Sequence, residues 1–201
     1  MGNWYTNISV KGAPQSDVVA LLEELGRRAY VTPETSGWVV VYDQQTDEFD
    51  LGTLESLALT LSTRLSCTTL ASCNADDDVL WLALYENGIL STRYASSPES
   101  FEDGDEFPDQ KEAAEVLSRV FQKPQHARDV LRLLRKSRGF LALLSIYFKI
   151  RFAYAVEVDR HLDLANLLGM PRAAVGLGYR YVSKGETPEG IDREALRRTM
   201  V

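Results

Sequence analysis

The chain has 201 residues, 45% of them hydrophobic and 25% charged, with a formal net charge of −7. That length and apolar content support a buried core and exclude a disordered or fibrous chain. Charge is lopsided: residues 1–122 carry 7 Lys/Arg against 21 Asp/Glu, a net of −14, while residues 123–201 carry 15 against 8, a net of +7.

Opposite signs mean either that the two parts attract one another within the fold or that one face meets a charged partner. The start, Met1-Gly2-Asn3-Trp4-Tyr5, lacks the basic and apolar runs of a signal peptide. The most apolar stretch, Phe140 to Phe148, stops at Lys149, about half of the roughly 20 residues that a membrane-spanning helix needs. Cys67 and Cys73 lie in one predicted strand region, where an extended chain holds them roughly 20 Å apart, too far for a disulfide without a sharp bend. The expected setting is the cytoplasm, with no membrane association.

In chain order, Trp4 to Val10 reads as a strand. Pro14-Gln15-Ser16-Asp17 then opens a helix with Val18, Leu21, Leu22 and Leu25 on one face. A short extended piece, Tyr30 to Thr32, and a Thr35-Ser36-Gly37 turn lead into a β-branched strand, Trp38 to Tyr42. Thr53 is the expected cap of a second helix, whose Leu54, Leu57, Ala58, Leu61 and Leu65 share a face. Strands follow at Thr68 to Ser72, Val79 to Tyr85 and Ile89 to Tyr94. Asn87-Gly88 between the last two predicts a type I′ hairpin turn. The expected fold is α+β: a ferredoxin-like βαββαβ antiparallel sheet with an added hairpin strand, then a mainly helical C-terminal part able to return a strand.

Three segments follow from this reading: an acidic α/β module over 1–97, an acidic loop over 98–109, and a mainly helical basic part over 110–201 packed on the first as one unit. In the last part Asp109 with Glu112 predicts a capped helix through Ala113, Val116, Leu117 and Val120. A helix after Pro124 turns Ala127, Val130, Leu131 and Leu134 inward and Arg128, Arg132 and Arg135 outward. Gly139 to Val158 is a nearly continuous apolar run, taken as helix over strand. Asp159 to Leu168 is helical and stops at Gly169-Met170-Pro171; Val175 to Val182 reads as a strand, and a turn over Gly185 to Gly190 precedes a short basic helix.

Residues able to carry chemistry are sparse. The histidines are His126 and His161, and no nucleophile elbow, zinc-protease helix, phosphate loop or CxxC is present. Glu157 and His161 stand at i, i+4, two possible metal ligands where zinc needs three or four, so a surface ion pair is the simpler reading. Asp76-Asp77-Asp78 can gather a cation or simply be a solvated turn. The loop carboxylates Glu99, Glu102, Asp103, Asp105 and Glu106 lack EF-hand spacing. They read as solvated charge or as a docking surface for a basic partner. No catalytic residue, cofactor or metal site is assigned.

Leu164-Ala165-Asn166-Leu167-Leu168-Gly169-Met170-Pro171-Arg172-Ala173-Ala174-Val175 resembles a helix-turn-helix within the basic half. Gly176 and Gly178 would fall inside the recognition helix at about 1 kcal/mol each, so a helix followed by a strand is preferred. With Asp77-Asp78-Val79-Leu80-Trp81, Leu84-Tyr85-Glu86-Asn87-Gly88 and Ala174-Val175-Gly176-Leu177-Gly178-Tyr179-Arg180-Tyr181, the chain resembles an uncharacterised bacterial protein family. That resemblance spans both halves and implies no site residue.

The leading functional expectation is a non-enzymatic cytoplasmic protein-binding or regulatory protein, of the kind that includes immunity proteins. A first alternative is nucleic-acid binding through Arg128, Arg132, Arg135, Arg172 and Arg180. A second is a small-ligand sensor or enzyme with a pocket between sheet and helices, walled by Trp38, Trp81 and Tyr85.

Overall fold

The computed structural model describes residues 2–48, 50–101, 106–135, 154 and 156–200. Among these residues seven strands form one antiparallel sheet: β1 (Tyr5–Lys11), β2 (Ala29–Val31), β3 (Trp38–Asp43), β4 (Thr68–Ala75), β5 (Val79–Glu86), β6 (Ile89–Ala95) and β7 (Arg197–Arg198). Their order is β6-β5-β4-β1-β3-β2-β7. The described residues also form six α-helices: α1 (Gln15–Glu24), α2 (Leu51–Arg64), α3 (Gln110–Val120), α4 (Ala127–Arg135), α5 (Glu157–Leu168) and α6 (Tyr179–Ser183).

Side chains alternate across each strand, and here both faces are covered. On the first face α1 and α2 lay Val18, Leu21, Leu22, Leu54, Leu57 and Leu61 onto Ile8, Val10, Val39, Val41, Ala71 and Trp81. On the second face α3, α4 and α5 cover Leu70, Leu80, Leu82, Leu84 and Tyr94. A smaller cluster there joins Val40 and Tyr42 to Ala173, Ala174 and Val182. Double coverage explains why every residue of β3 is buried, the near-continuous apolar run of a central strand.

Local chemistry sets the element ends. Asn87 and Gly88 take φ of 51° and 82°, as a type I′ turn requires. Asp76 and Asp77, at 53° and 58°, turn β4 into β5 in the same way. Helix α2 is capped by Asp50 rather than by Thr53. One Asp50 oxygen accepts the Gly52 N–H at 2.9 Å and the other accepts the Thr53 hydroxyl at 2.7 Å. An ionised carboxylate is the stronger acceptor, so the threonine becomes its donor. Asp109 caps α3 by accepting the Lys111 N–H.

Two C-terminal expectations are overturned. Val175 to Val182 is not a strand: a 3-10 turn over Arg172–Ala174 gives way to extended chain and then to α6, five residues long. The cause is tertiary. The buried Asp47 carboxylate accepts the Arg180 N–H at 2.8 Å, capping α6 from across the molecule. Gly178 lies so close to β1 that a Cβ there would sit 2.5 Å from Asp47 Oδ1 and 3.3 Å from the Thr6 nitrogen. Nor does a basic helix follow Gly190. Arg193–Ala195 is a 3-10 turn, and Arg197 and Arg198 then pair with Val31 and Tyr30 as β7. The Thr199 hydroxyl fastens this end, accepting the Ala29 N–H at 2.9 Å and donating to the Arg27 carbonyl at 2.7 Å. The helix expected over Gly139 to Val158 lies, for residues 139–153 and 155, outside the described residues.

Candidate functional site

Between the two apolar clusters of the second face runs a polar seam. The register sets Tyr5 opposite Asn74 and Asn7 opposite Ser72. With Ser9 these side chains are fully buried on one face of β1 and β4. Helix α5 crosses above and adds Glu157, Arg160 and His161, each at most 1% exposed.

Tyr5 Oη lies 2.7 Å from His161 Nδ1, and the Gly176 N–H also bears on the tyrosine oxygen. The imidazole tautomer decides which of the two donates across this contact. Nε2 has no partner among the described residues, and neither do Asn7 Oδ1, Ser9 Oγ, Ser72 Oγ and Asn74 Oδ1. Burial pushes His161 down to about 4 and Tyr5 up, so both are neutral near pH 7. Asn7 Nδ2 donates to the Ala174 and Leu177 carbonyls at 2.9 and 3.0 Å. Asn74 Nδ2 donates to the Asn3 carbonyl at 2.7 Å and to Asp77 Oδ1 at 3.0 Å. Tyr5, Asn7, Ser9, Ser72, Asn74 and His161 thus form an uncharged polar surface that fixes how the C-terminal half docks.

Beside it, Arg160 is buried and held on several sides. Nε donates to Glu157 Oε2 at 2.7 Å, Nη1 donates to the Leu133 and Leu134 carbonyls at 2.6 and 2.8 Å, and the guanidinium stands 4.9 Å from the Tyr154 ring centre. The cation thereby satisfies carbonyls in the last turn of α4. The surface ion pair expected between Glu157 and His161 is not formed, because both residues are buried and turned to different partners, Arg160 and Tyr5. Among the described residues no group of three His, Cys, Asp or Glu could hold a metal ion.

The acidic triplet is an anchor for the chain start. Asp76 Oδ1 accepts the Gly2 N–H and Asp77 Oδ2 the Asn3 N–H, both at 2.8 Å, while the Asp77 carbonyl accepts the Glu157 N–H at 3.0 Å. In the acidic loop Glu99 and Glu106 are exposed; Glu102, Asp103 and Asp105 lie outside the described residues. The loop leaves β6, an outermost strand of the sheet, whose Ile89 and Leu90 are 71% and 42% exposed. A groove of about 410 Å³ runs between Leu90–Arg93 and Glu106–Pro108.

The arginines of the basic half are dispersed. Arg128, Arg132 and Arg135 are exposed on α4, with Arg132 paired to Asp129 at 2.8 Å. Arg172 is paired to Glu189 at 3.0 Å, and Arg180 approaches Asp47 at 3.6 Å, joining the basic half to the acidic one. Trp38 belongs to the second face and Trp81 and Tyr85 to the first, so the three do not share a pocket wall. Cys67 and Cys73 are free and buried, and burial pushes their thiols up to about 11 and about 12, away from thiolate reactivity.

No family model matches the chain, and no curated protein or solved structure matches it either. Among the described residues no helix is long and apolar enough to cross a membrane.

Sequence reasoning missed the seam, although its signal was present: Tyr5, Asn7 and Ser9 alternate with Thr6, Ile8 and Val10 along β1. A strand with one polar face reads as solvent-facing. Only the location of β1, fourth of seven strands and beneath α5 and α6, makes that face interior.

Proposed function

We propose that the protein is a binding module which takes an extended, basic segment of a partner protein along β6. The observation that carries this reading is the edge itself: apolar Ile89 and Leu90 stand exposed on an outermost strand, next to a groove closed by Glu106. An open edge offers main-chain hydrogen bonds to an added strand. The Asp and Glu residues of 99–106 supply charge that a Lys/Arg-rich segment complements. Neutral Tyr5 and His161, shut in the seam, favour binding over catalysis as the role.

Around this edge we read β4-β1-β3-β2, with α1 and α2 on one face, as a ferredoxin-like unit enlarged by β5, β6 and β7. The two buried, unpaired thiols are consistent with a cytoplasmic setting.

The test selects random extended dodecapeptides against the full chain at low salt. Winners should be rich in Lys, Arg and β-branched residues, should weaken as salt rises, and should slow amide exchange at Arg93 and Ala95. Protection of another region, or binding unchanged in an Ile89→Lys/Leu90→Lys variant, overturns the reading.

A further inference from the structure

A second cavity lies at the opposite side of the sheet from β6, where the β2–β3 turn meets the segment after α5. Its volume is about 320 Å³, at the small end of ligand cavities, which run to roughly 300–1,000 Å³. The apolar lining is Trp38, Met170 and Ile191, and the Trp38 ring is backed by Phe121 in a stack with centroids 4.9 Å apart. Ser36 lines the turn side at φ 54°. That turn is closed by the Thr35 N–H donating to the Trp38 carbonyl at 2.8 Å and the Trp38 N–H donating to the Thr35 carbonyl at 3.0 Å. The walls are therefore held by backbone hydrogen bonds.

Polar groups enter at the rim. Arg172 Nη1 donates to both carboxylate oxygens of Glu189, at 3.1 and 3.0 Å. The two side chains are 55% and 71% exposed, and both residues line the cavity. An ion pair this exposed contributes little to stability. Breaking it costs the fold little, yet it keeps a guanidinium beside an apolar cavity that Arg172 itself lines. A guanidinium presents a planar fork that matches a carboxylate, so Glu189 occupies the place that a ligand's own carboxylate can take.

We propose that this cavity binds a small carboxylate with an apolar body. The carboxylate replaces Glu189 on Arg172, and the body lies on Trp38, Met170 and Ile191. Two sources share this chemistry, an aromatic or branched aliphatic acid and the free C-terminus of a peptide ending in an apolar residue. The site is independent of β6 and stands whether or not a partner docks there.

Phenylacetate, its uncharged analogue phenylacetamide, and an acetylated tripeptide ending in leucine, as free acid and as amide, are titrated into the full chain. The readout is the Trp38 indole N–H resonance, identified by its loss in Trp38→Phe. At least one of the two acids should shift it saturably, with the tighter one identifying the source, and the matching amide should bind less well. Arg172→Gln should weaken the acid about tenfold without altering phenylacetamide. Glu189→Gln, which removes the internal competitor, should tighten it. Absence of a shift with both acids, an Arg172→Gln variant that binds them as well as the parent, or a Glu189→Gln variant that binds them less well overturns the proposal.

Discussion

The two faces of the sheet are built from the same strands, yet they are unlike in kind. The first is mainly apolar: α1 and α2 cover it with leucine and valine, and its register follows from apolar periodicity. The second is divided, with two apolar clusters separated by the seam of Tyr5, Asn7, Ser9, Ser72, Asn74 and His161. The first face is assembled from neighbours in sequence. The second must receive chain from more than 150 residues away, as in the contact between Tyr5 and His161. Apolar packing alone tolerates sliding and repacking, whereas an asparagine amide that needs the Ala174 and Leu177 carbonyls accepts one arrangement. The difference teaches that a distant segment is placed by directional bonds and a local one by shape and burial.

The sharpest way to break the contrast is Glu157→Gln. It takes the Glu157 charge away from the buried Arg160 guanidinium, and about 3–5 kcal/mol of stability should be lost in denaturant unfolding. If α5 docks through apolar contacts alone, the loss will be no larger than for an exposed pair such as Arg64–Glu24.

Gly178→Ala is next. Its Cβ meets Asp47 Oδ1 at 2.5 Å and the Thr6 backbone nitrogen at 3.3 Å, an overpacking expected to cost about 1–3 kcal/mol. Hydrogen exchange should show loosened amides in α6 and β1 while those of α1 and α2 stay protected. Uniform loosening of both faces would show that the second face is not a separate layer.

Acid should then act on the second face. His161 has its folded pKa at about 4 against an ordinary 6.5, so the unfolded chain takes up the proton first. Its contribution is fully present above pH 6.5 and is lost as pH falls toward 4. About 2 kcal/mol should disappear between about pH 6.5 and about pH 5. Unfolding followed against pH should show that slope in the parent and not in His161→Gln.

The smallest effect has the opposite sign. Ser72 Oγ is buried with no partner among the described residues, so Ser72→Ala removes a desolvated hydroxyl and should be neutral or stabilising by up to about 1 kcal/mol. A loss above about 1 kcal/mol in thermal unfolding would show that the hydroxyl is bonded in solution.

Much of the fold was legible before any coordinates. The faces of α1 and α2, the Asn87-Gly88 turn and six strands of the N-terminal half lie within a few residues of where periodicity and turn chemistry set them. Their determinants are local, a repeat of 3.6 or 2 and positions needing positive φ. The capping of α2 shows the limit: Asp50 and Thr53 are both good caps, and choosing between them requires knowing which is the donor. The exposed carboxylates Glu99 and Glu106 were legible as charge, but the outermost place of their neighbour β6 among the described strands follows from strand order and so from pairing at long range.

What the sequence by itself determined is therefore the set of local elements and the sign of charge along the chain. Only the tertiary structure decided that Tyr5, Asn7 and Ser9 face inward, that Glu157 and His161 are core residues, and that Tyr179 to Ser183 is helical. Whether a polar residue on a strand is wet or buried depends on what covers it, and a β-prone segment beside two glycines becomes a helix when a buried carboxylate from elsewhere accepts an amide of its first turn. Spacing along a chain carries no information about either cover or cap, because both are supplied by residues more than a hundred positions away.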